Sequence, residues 1–309
     1  MTSTTTSNGH PPSWLTSLAP SNAACIQRLL ALPPAPSFTH VPTRKQAAVA
    51  AILYESSSTK QLRVIMSTRA LHLRSHPGQA SLPGGKVDGT DADVVETALR
   101  ESVEEIALPA ELAVHLHTGY PFLSKMGLLV HPVVFFLRGV GDEVLRKLVA
   151  SPSEVADIWS FPLQAVLSST APEGLELSPP QSVDKHRPPQ EAFRTYTDIP
   201  WLGSKYRLHR FRSSRQLIKG LTADVLISVA QKAYGRKAAY AVDAEGQRSW
   251  AEMVELVVRK YMGPQRAEQR WGDGESGDVQ GSSEAYETHI GYDDQREALR
   301  EELEQDVSV

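Results

Sequence analysis

Leu82-Pro-Gly-Gly-Lys-Val-Asp-Gly-Thr-Asp-Ala-Asp-Val-Val-Glu-Thr-Ala-Leu-Arg-Glu-Ser-Val-Glu-Glu-Ile-Ala-Leu108 joins a glycine bend to the strongest helical pattern in the chain. On a helix from Asp91 to Leu108, at about 100° per residue, Glu101, Glu104 and Glu105 fall at i, i+3 and i+4 within one narrow arc. Val95, Leu99, Val103 and Ile106 make a separate stripe, bordered by Ala98 and Ser102, so one face is expected on a core and the other carries charge. Thr90 and Asp93 have the spacing of a capping box, and Asp91 and Asp93 suit the positive end of the helix dipole.

Carboxylates at this spacing repel, by a few tenths of a kcal/mol per pair when exposed and by more when enclosed. Three glutamates alone describe a solvated acidic face. The diglycine just before them changes the reading, because a backbone without Cβ atoms can approach a ligand or a metal closely. Oxygen ligands with no thiol or paired imidazole nearby favour a hard divalent cation, Mg²⁺ or Mn²⁺.

Upstream, Ala48–Tyr54 and Leu62–Ser67 read as two strands joined by the polar run Glu55–Lys60, and Leu82–Gly89 as a Pro/Gly-rich loop. Downstream, Leu128–Leu137 has the β-branched and aromatic content of a buried strand, Val155–Leu163 is a second one, and Gln216–Tyr234 reads as a helix ended by Gly235. Interleaved strands and helices predict an α/β fold with helices packed on a mixed sheet. The domain is expected over residues 46–263, with a flexible N-terminal arm over 1–45 carrying a short apolar patch at Ile26–Leu32. A proline-rich surface insertion is expected over 169–200. An acidic tail follows over 264–309, with a terminal helix at Asp293–Glu304.

Composition narrows the class. Of 309 residues 41% are hydrophobic, enough for a sizeable core, and the single Cys25 excludes a disulfide scaffold and points to an intracellular protein. The apolar runs, such as Ala47–Tyr54, are far shorter than the roughly 18 to 20 residues that span a bilayer, so no membrane partner is expected. A net charge of −4 argues against nucleic-acid binding through bulk electrostatics, and the basic run Arg207–Arg212 alternates as a half-exposed strand would.

Gly-Gly, an acidic helix start and Arg100-Glu101-x-x-Glu104-Glu105 resemble the Nudix box. Gly85, Arg100, Glu101, Glu104, Glu105 and Leu108 match it. Asp91 takes the place of its first glutamate with one extra residue before Arg100, while Ser102 and Ala107 replace an aliphatic and a glycine. Ile65-Met-Ser-Thr-Arg69-Ala70, then Arg74, Gly78 and Leu82-Pro-Gly-Gly85, keep every spacing of the extended signature of the coenzyme A diphosphatase subfamily, with Leu82 for Phe and Ser67 for Thr. Lys219-Gly-Leu-Thr-Ala223 is similar to a Trp-Gly-Leu-Thr-Ala segment of these enzymes, with Lys in place of Trp.

The resemblance implies a Nudix fold, an α/β/α sandwich around a mixed sheet. It implies metal-dependent hydrolysis of the diphosphate of a small molecule, coenzyme A or acyl-CoA, to 3′,5′-ADP and 4′-phosphopantetheine or its acyl form. Glu101, Glu104 and Glu105 would carry catalysis by binding Mg²⁺ or Mn²⁺. Arg69, Arg74, Gly84 and Gly85 would contact substrate, and Arg100 would pair with a loop carboxylate. Glu154 and Asp157 are the general-base candidates outside the box. Another nucleoside diphosphate derivative, such as ADP-ribose or a dinucleotide, and a catalytically silent Nudix-fold binding protein are the alternatives. The subfamily serves peroxisomes or mitochondria; Asp306-Val-Ser-Val309 does not match Ser-Lys-Leu, the N-terminal arm only loosely resembles a transit peptide, and peroxisome, mitochondrion and cytoplasm all stay open.

Other chemistries find no support. Gly85-Lys86 lacks the rest of a P-loop, no Gly-x-Ser-x-Gly elbow occurs, and His72 and His76 lack the glutamate of a zinc-protease helix, which leaves them as surface or substrate-loop histidines.

Overall fold

Side chains alternate across a strand, and in Gln46–Glu55 (β1) both sets are apolar, so this strand must be covered on two faces. Ala48, Ala50, Ile52 and Tyr54 pack on one side with Ala98 and Ile106, while Ala51 and Leu53 pack on the other with Ile26, Leu29, Leu226 and Ala230. A helix-sheet-helix sandwich follows from that double burial.

The computed structural model describes residues 12–139, 141–178 and 192–261, all within one structural unit. Its helices are α1 (Ser13–Thr16), α2 (Pro20–Leu30), α3 (Val94–Ile106), α4 (Val144–Lys147), α5 (Gly220–Tyr234) and α6 (Trp250–Val258). After β1 come β2 (Leu62–Arg69), β3 (Ala80–Ser81), β4 (Gly84–Lys86), β5 (Ala113–Thr118), β6 (Phe122–Leu123), β7 (Leu129–Leu137) and β8 (Val155–Pro162). These form a mixed sheet. β1 runs parallel to β7 from Gln46↔Leu129 to Leu53↔Phe136. The other edge of β1 is shared by β4 at its start and β2 at its end, both antiparallel, and β8 pairs with β2. A separate antiparallel meander joins β9 (Arg194–Trp201), β10 (Ser204–Phe211) and β11 (Ile218–Lys219).

Several expectations are corrected. Gly84–Lys86 is a short strand rather than a loop: Ala48 faces Gly85, and Ala50 N–H donates to the Pro83 carbonyl at 2.7 Å. The described part of the expected N-terminal arm contains α2, whose Cys25, Ile26 and Leu29 are buried. An apolar stripe at i, i+3 and i+4 supplies the reason, and Arg28 fastens it by donating to the Ala233 carbonyl of α5 at 3.1 Å. The expected proline-rich insertion includes β9, held by its full-length pairing with β10; residues 179–191 lie outside the described ones, as do the acidic tail over 264–309 and its expected terminal helix. The helix expected from Gln216 starts at Gly220, while Gly235 ends it in the left-handed conformation as expected. Arg207 lies on β10 with its guanidinium on Asp198 at 2.8 Å.

Gly84 has φ +155°, and a Cβ there would lie 2.7 Å from Val49 Cα and collide with the Ala48 carbonyl oxygen. Backbone cannot yield as a flexible side chain does. Gly84→Ala is therefore expected to cost about 3 kcal/mol through steric overlap and backbone strain together. Urea denaturation should show a clearly lower midpoint; an unchanged one contradicts the close strand pairing.

Candidate active site

α3 starts three residues later than the pattern predicts. Asp93 is its N-cap, accepting from Val95 N–H and Glu96 N–H at 2.8 and 2.9 Å, and Glu96 reaches back to Ala92 N–H. Thr90 takes no part; its N–H and hydroxyl both donate to Asp88. The core face keeps Val95, Leu99 and Ile106 of the expected stripe against the core but is rotated toward positions 98 and 102. Thr97, Ala98, Ser102, Glu105 and Ile106 are buried, whereas Val103 is 42% exposed. Small side chains at 98 and 102 allow the helix to lie close on β1 and β4, which favours them over valine at the contact.

That rotation sinks one glutamate. Glu105 is only 5% exposed, and its carboxylate accepts from Gly84 N–H at 3.3 Å. Gly85 lies directly against Glu101: a Cβ at this position would stand 2.5 Å from the Glu101 carboxyl carbon. The diglycine thus serves two ends, close strand pairing at Gly84 and room for a carboxylate at Gly85.

A third carboxylate arrives from outside the helix. Val149 N–H donates to the Ile106 carbonyl and Ser151 N–H to the Glu105 carbonyl at 2.8 Å, docking the segment before β8 onto the end of α3. Glu154 follows, and carboxylate oxygens of Glu101, Glu105 and Glu154 all lie within 4.8 Å of one another. Burial and the nearby Glu154 charge push the Glu105 carboxyl up to about 8, and burial also raises Glu101. Three acidic groups so placed are a site short of positive charge.

Arg100 does not fill that need. Its Nε and Nη2 donate to the two oxygens of Asp91 at 2.9 and 3.0 Å, the pairing with a loop carboxylate that the resemblance implies. The guanidinium holds Asp91 far below the usual carboxylate range. Through Nη1 Arg100 also touches Glu101 and Glu104, at 3.0 and 3.2 Å. Glu104 is not drawn into the cluster: its side chain is 58% exposed and turned to Arg100. Asp157 stands apart as well, facing Arg215 at 3.6 Å.

Of the remaining expected residues, Arg69 ends β2 and Arg74 sits on the loop from β2 to β3. Arg69 N–H donates to the Gln79 carbonyl and Gly78 N–H to the Arg69 carbonyl, both at 3.0 Å, which closes the loop at its base. The Arg69 charge acts on Glu105 and lowers its pKa, so this cation belongs to the neighbourhood of the cluster. Arg74 is exposed on the loop. The same loop reaches the Glu154 segment: Ala70 N–H donates to the Glu154 carbonyl at 2.9 Å, and His72 Nε2 donates to the Ser153 carbonyl at 3.1 Å. No sequence spacing connects Glu154 to α3; only its position beside β8, the partner of β2, brings it there.

An all-carboxylate donor set suits a hard divalent cation, and the residues present fit one. The NUDIX domain family pattern matches residues 44–180. The Nudix hydrolase NudL of Photorhabdus laumondii is 30% identical over 204 residues, a match covering 66% of this chain and 92% of that protein. The chain belongs to the Nudix hydrolase family. Nudix hydrolase 15, mitochondrial, of Arabidopsis thaliana is 34% identical over 200 residues, covering 63% of this chain and 61% of the plant protein, so the chain spans about three fifths of that relative's length. Among solved structures, a C. elegans Ap4A hydrolase binary complex is 18% identical with a TM-score of 0.31, covering 38% of this chain and 81% of that one. The NUDIX domain of Shewanella oneidensis NrtR complexed with ADP ribose is 21% identical with a TM-score of 0.31, covering 46% and 84%. Nudix hydrolases generally use divalent metal, in keeping with the acidic cluster. No helix among the described residues is long and apolar enough to cross a membrane.

Proposed function

We propose that the chain is a Mg²⁺- or Mn²⁺-dependent diphosphatase of coenzyme A or acyl-CoA, releasing 3′,5′-ADP and 4′-phosphopantetheine or its acyl form. One observation supports this reading above the others. The segment bearing the coenzyme A signature, Arg69 through Gly85, runs from a cation acting on Glu105 to a glycine packed on Glu101 and ties down Glu154 on the way.

In this reading Glu101, Glu105 and Glu154 hold the metal, with Glu104 joining from the same helix. Arg69 and Arg74 grip the diphosphate oxygens, guanidinium being suited to two-pronged phosphate contacts. Gly84 and Gly85 keep the strand low enough for the substrate to come close. When bound, the cation offsets negative charge on the nonbridging oxygens and makes a water molecule more acidic. In the overall hydrolysis a water oxygen bonds to phosphorus while the bridging P–O bond breaks. A carboxylate of the cluster orients that water and takes its proton, and Glu154 is the candidate from outside the helix.

The deciding experiment incubates purified protein with Mg²⁺ or Mn²⁺ and CoA, acetyl-CoA, NADH or ADP-ribose, resolving products by chromatography. CoA or acetyl-CoA should give the highest kcat/KM, with 3′,5′-ADP as a product. Preference for ADP-ribose or NADH transfers the function to another nucleoside diphosphate derivative. Absence of metal-stimulated products from every substrate assigns a binding role.

A further inference from the structure

Two histidines of the loop between β2 and β3 have no part in the hydrolysis, and they turn to different partners. His76 stays within the loop, its Nδ1 3.2 Å from Gln79 Oε1. His72 leaves it: Nε2 stands 3.1 Å from the carbonyl oxygen of Ser153, the residue before Glu154. A carbonyl only accepts, so Nε2 carries the proton of this bond.

Glu154 is placed through its backbone. Ser151 N–H is anchored on the Glu105 carbonyl at 2.8 Å, and the Ser151 carbonyl accepts from both Glu154 N–H and Val155 N–H, at 3.0 and 2.8 Å. The chain thus makes a tight turn between the end of α3 and the start of β8. Pairing with β2 then slips by one residue: Thr68 faces Asp157 but Arg69 faces Val155, so Ala156 is extra in β8. Such a bulge re-aims the side chains beyond it. Regular pairing would set Glu154 opposite Leu71; the slip sets it level with Ala70, whose N–H donates to the Glu154 carbonyl at 2.9 Å.

Among the described residues the Ser153 carbonyl has no backbone donor, and His72 supplies one from its side chain. The peptide before Glu154 is therefore held at both polar ends, N–H on Ser151 and C=O on His72. The peptide after it is held likewise, N–H on Ser151 and C=O on Ala70. Two fixed peptide planes set both backbone dihedrals of Glu154, and these aim its Cβ. Its carboxylate lies with those of Glu101 and Glu105 within 4.8 Å. Of the groups that hold the two planes, only His72 acts through a side chain.

We infer that His72 is a positioning residue of the metal site: it fixes the Ser153–Glu154 peptide so that the Glu154 carboxylate stays with Glu101 and Glu105. The inference rests on the reading of these carboxylates as metal ligands and deepens it. It ties the loop that carries Arg74 to the carboxylate that completes the cluster from outside α3. A metal ligand needs support of this kind, because groups that orient a ligand govern affinity almost as the ligand does.

The test is calorimetric titration of the full chain with Mn²⁺, without substrate, for parent, His72→Ala and His72→Gln. His72→Ala should weaken Mn²⁺ binding by about tenfold, the lower end for groups that orient a metal ligand, since water can stand in at an exposed carbonyl. His72→Gln, whose amide N–H reaches the same oxygen, should bind as the parent does. In a Glu154→Gln background His72→Ala should bring no further loss, because its effect runs through that carboxylate. A general loosening of the fold would neither be rescued by glutamine nor depend on Glu154. Parent-like affinity in His72→Ala, or the same loss with Glu154→Gln already present, overturns the inference. If the parent takes up no Mn²⁺, the metal reading fails instead, and amide hydrogen exchange judges the hold on Glu154 by itself. The Glu154 and Val155 amides should then exchange faster in His72→Ala than in the parent and His72→Gln; equal rates in all three overturn the role of His72.

Discussion

Glu105→Gln is expected to lower turnover by about a thousandfold, the scale on which removal of a preorganised charged group acts. The carboxylate is buried, its neighbours are Glu101 and Glu154, and its one backbone donor is Gly84. An amide of the same shape still accepts from Gly84 but brings no negative charge to a cation. Isothermal titration with Mn²⁺ should show correspondingly weaker uptake. Stability should move the other way. In the metal-free protein Glu105 has a folded value of about 8, above its ordinary value, so over neutral pH the folded state binds a proton that the unfolded chain releases. Glutamine removes that cost, and metal-free Glu105→Gln should melt at or above the parent temperature. Glu154→Gln should also weaken Mn²⁺ uptake, and the double variant should lose less than the sum of the two, because both act on one ion. Full activity in Glu105→Gln would reject the assigned role.

Asp224→Asn should change how stability depends on pH. Asp224 lies on α5 facing β10, where Tyr206 O–H donates to its Oδ2, and it is buried. Burial first, then the Asp243 charge, push its carboxyl from 3.8 up to about 8, while the Tyr206 hydrogen bond pulls the other way. Protonated when folded and ionised when unfolded, Asp224 makes the protein progressively less stable as pH rises from about 4 to about 8, and adds no slope outside that window. The slope from this one proton is about 1.4 kcal/mol per pH unit. Asparagine does not titrate. The melting temperatures of parent and variant should therefore diverge between pH 5 and pH 8 in favour of Asp224→Asn; parallel curves would show that Asp224 is already ionised in the fold.

The two sites differ in how far the linear chain reveals them. Asp224 reads as an ordinary polar position on a helix, and only the packing of Tyr206 over it makes it a buried acid. α3 is the opposite case: its periodicity and its glutamate spacing announce the element and the acidic face, and the diglycine before it announces a close approach. What periodicity cannot supply is the rotation of that face. Val95 and Leu99 stay packed against the core, yet the deepest places go to the smaller Ala98 and Ser102 and Val103 is left exposed, because β4 lies so near. Burial of Glu105 and exposure of Glu104 follow from that choice, although the two residues are adjacent. β9 was hidden in a stretch without an apolar period because its strand is held by pairing with β10, with most of its side chains at least partly exposed.

Read as a line of residues, the protein already specifies an α/β sandwich, a helix with a charged face, and the loop signature that precedes it, since these depend on spacing along a few turns or a few strand residues. The meeting of the third carboxylate with the helix belongs to the tertiary structure alone. Glu154 meets Glu105 because β8 pairs with β2 and Ser151 docks on the helix end. Contacts between segments so distant in the chain are set by strand pairing and burial, and no local pattern encodes them.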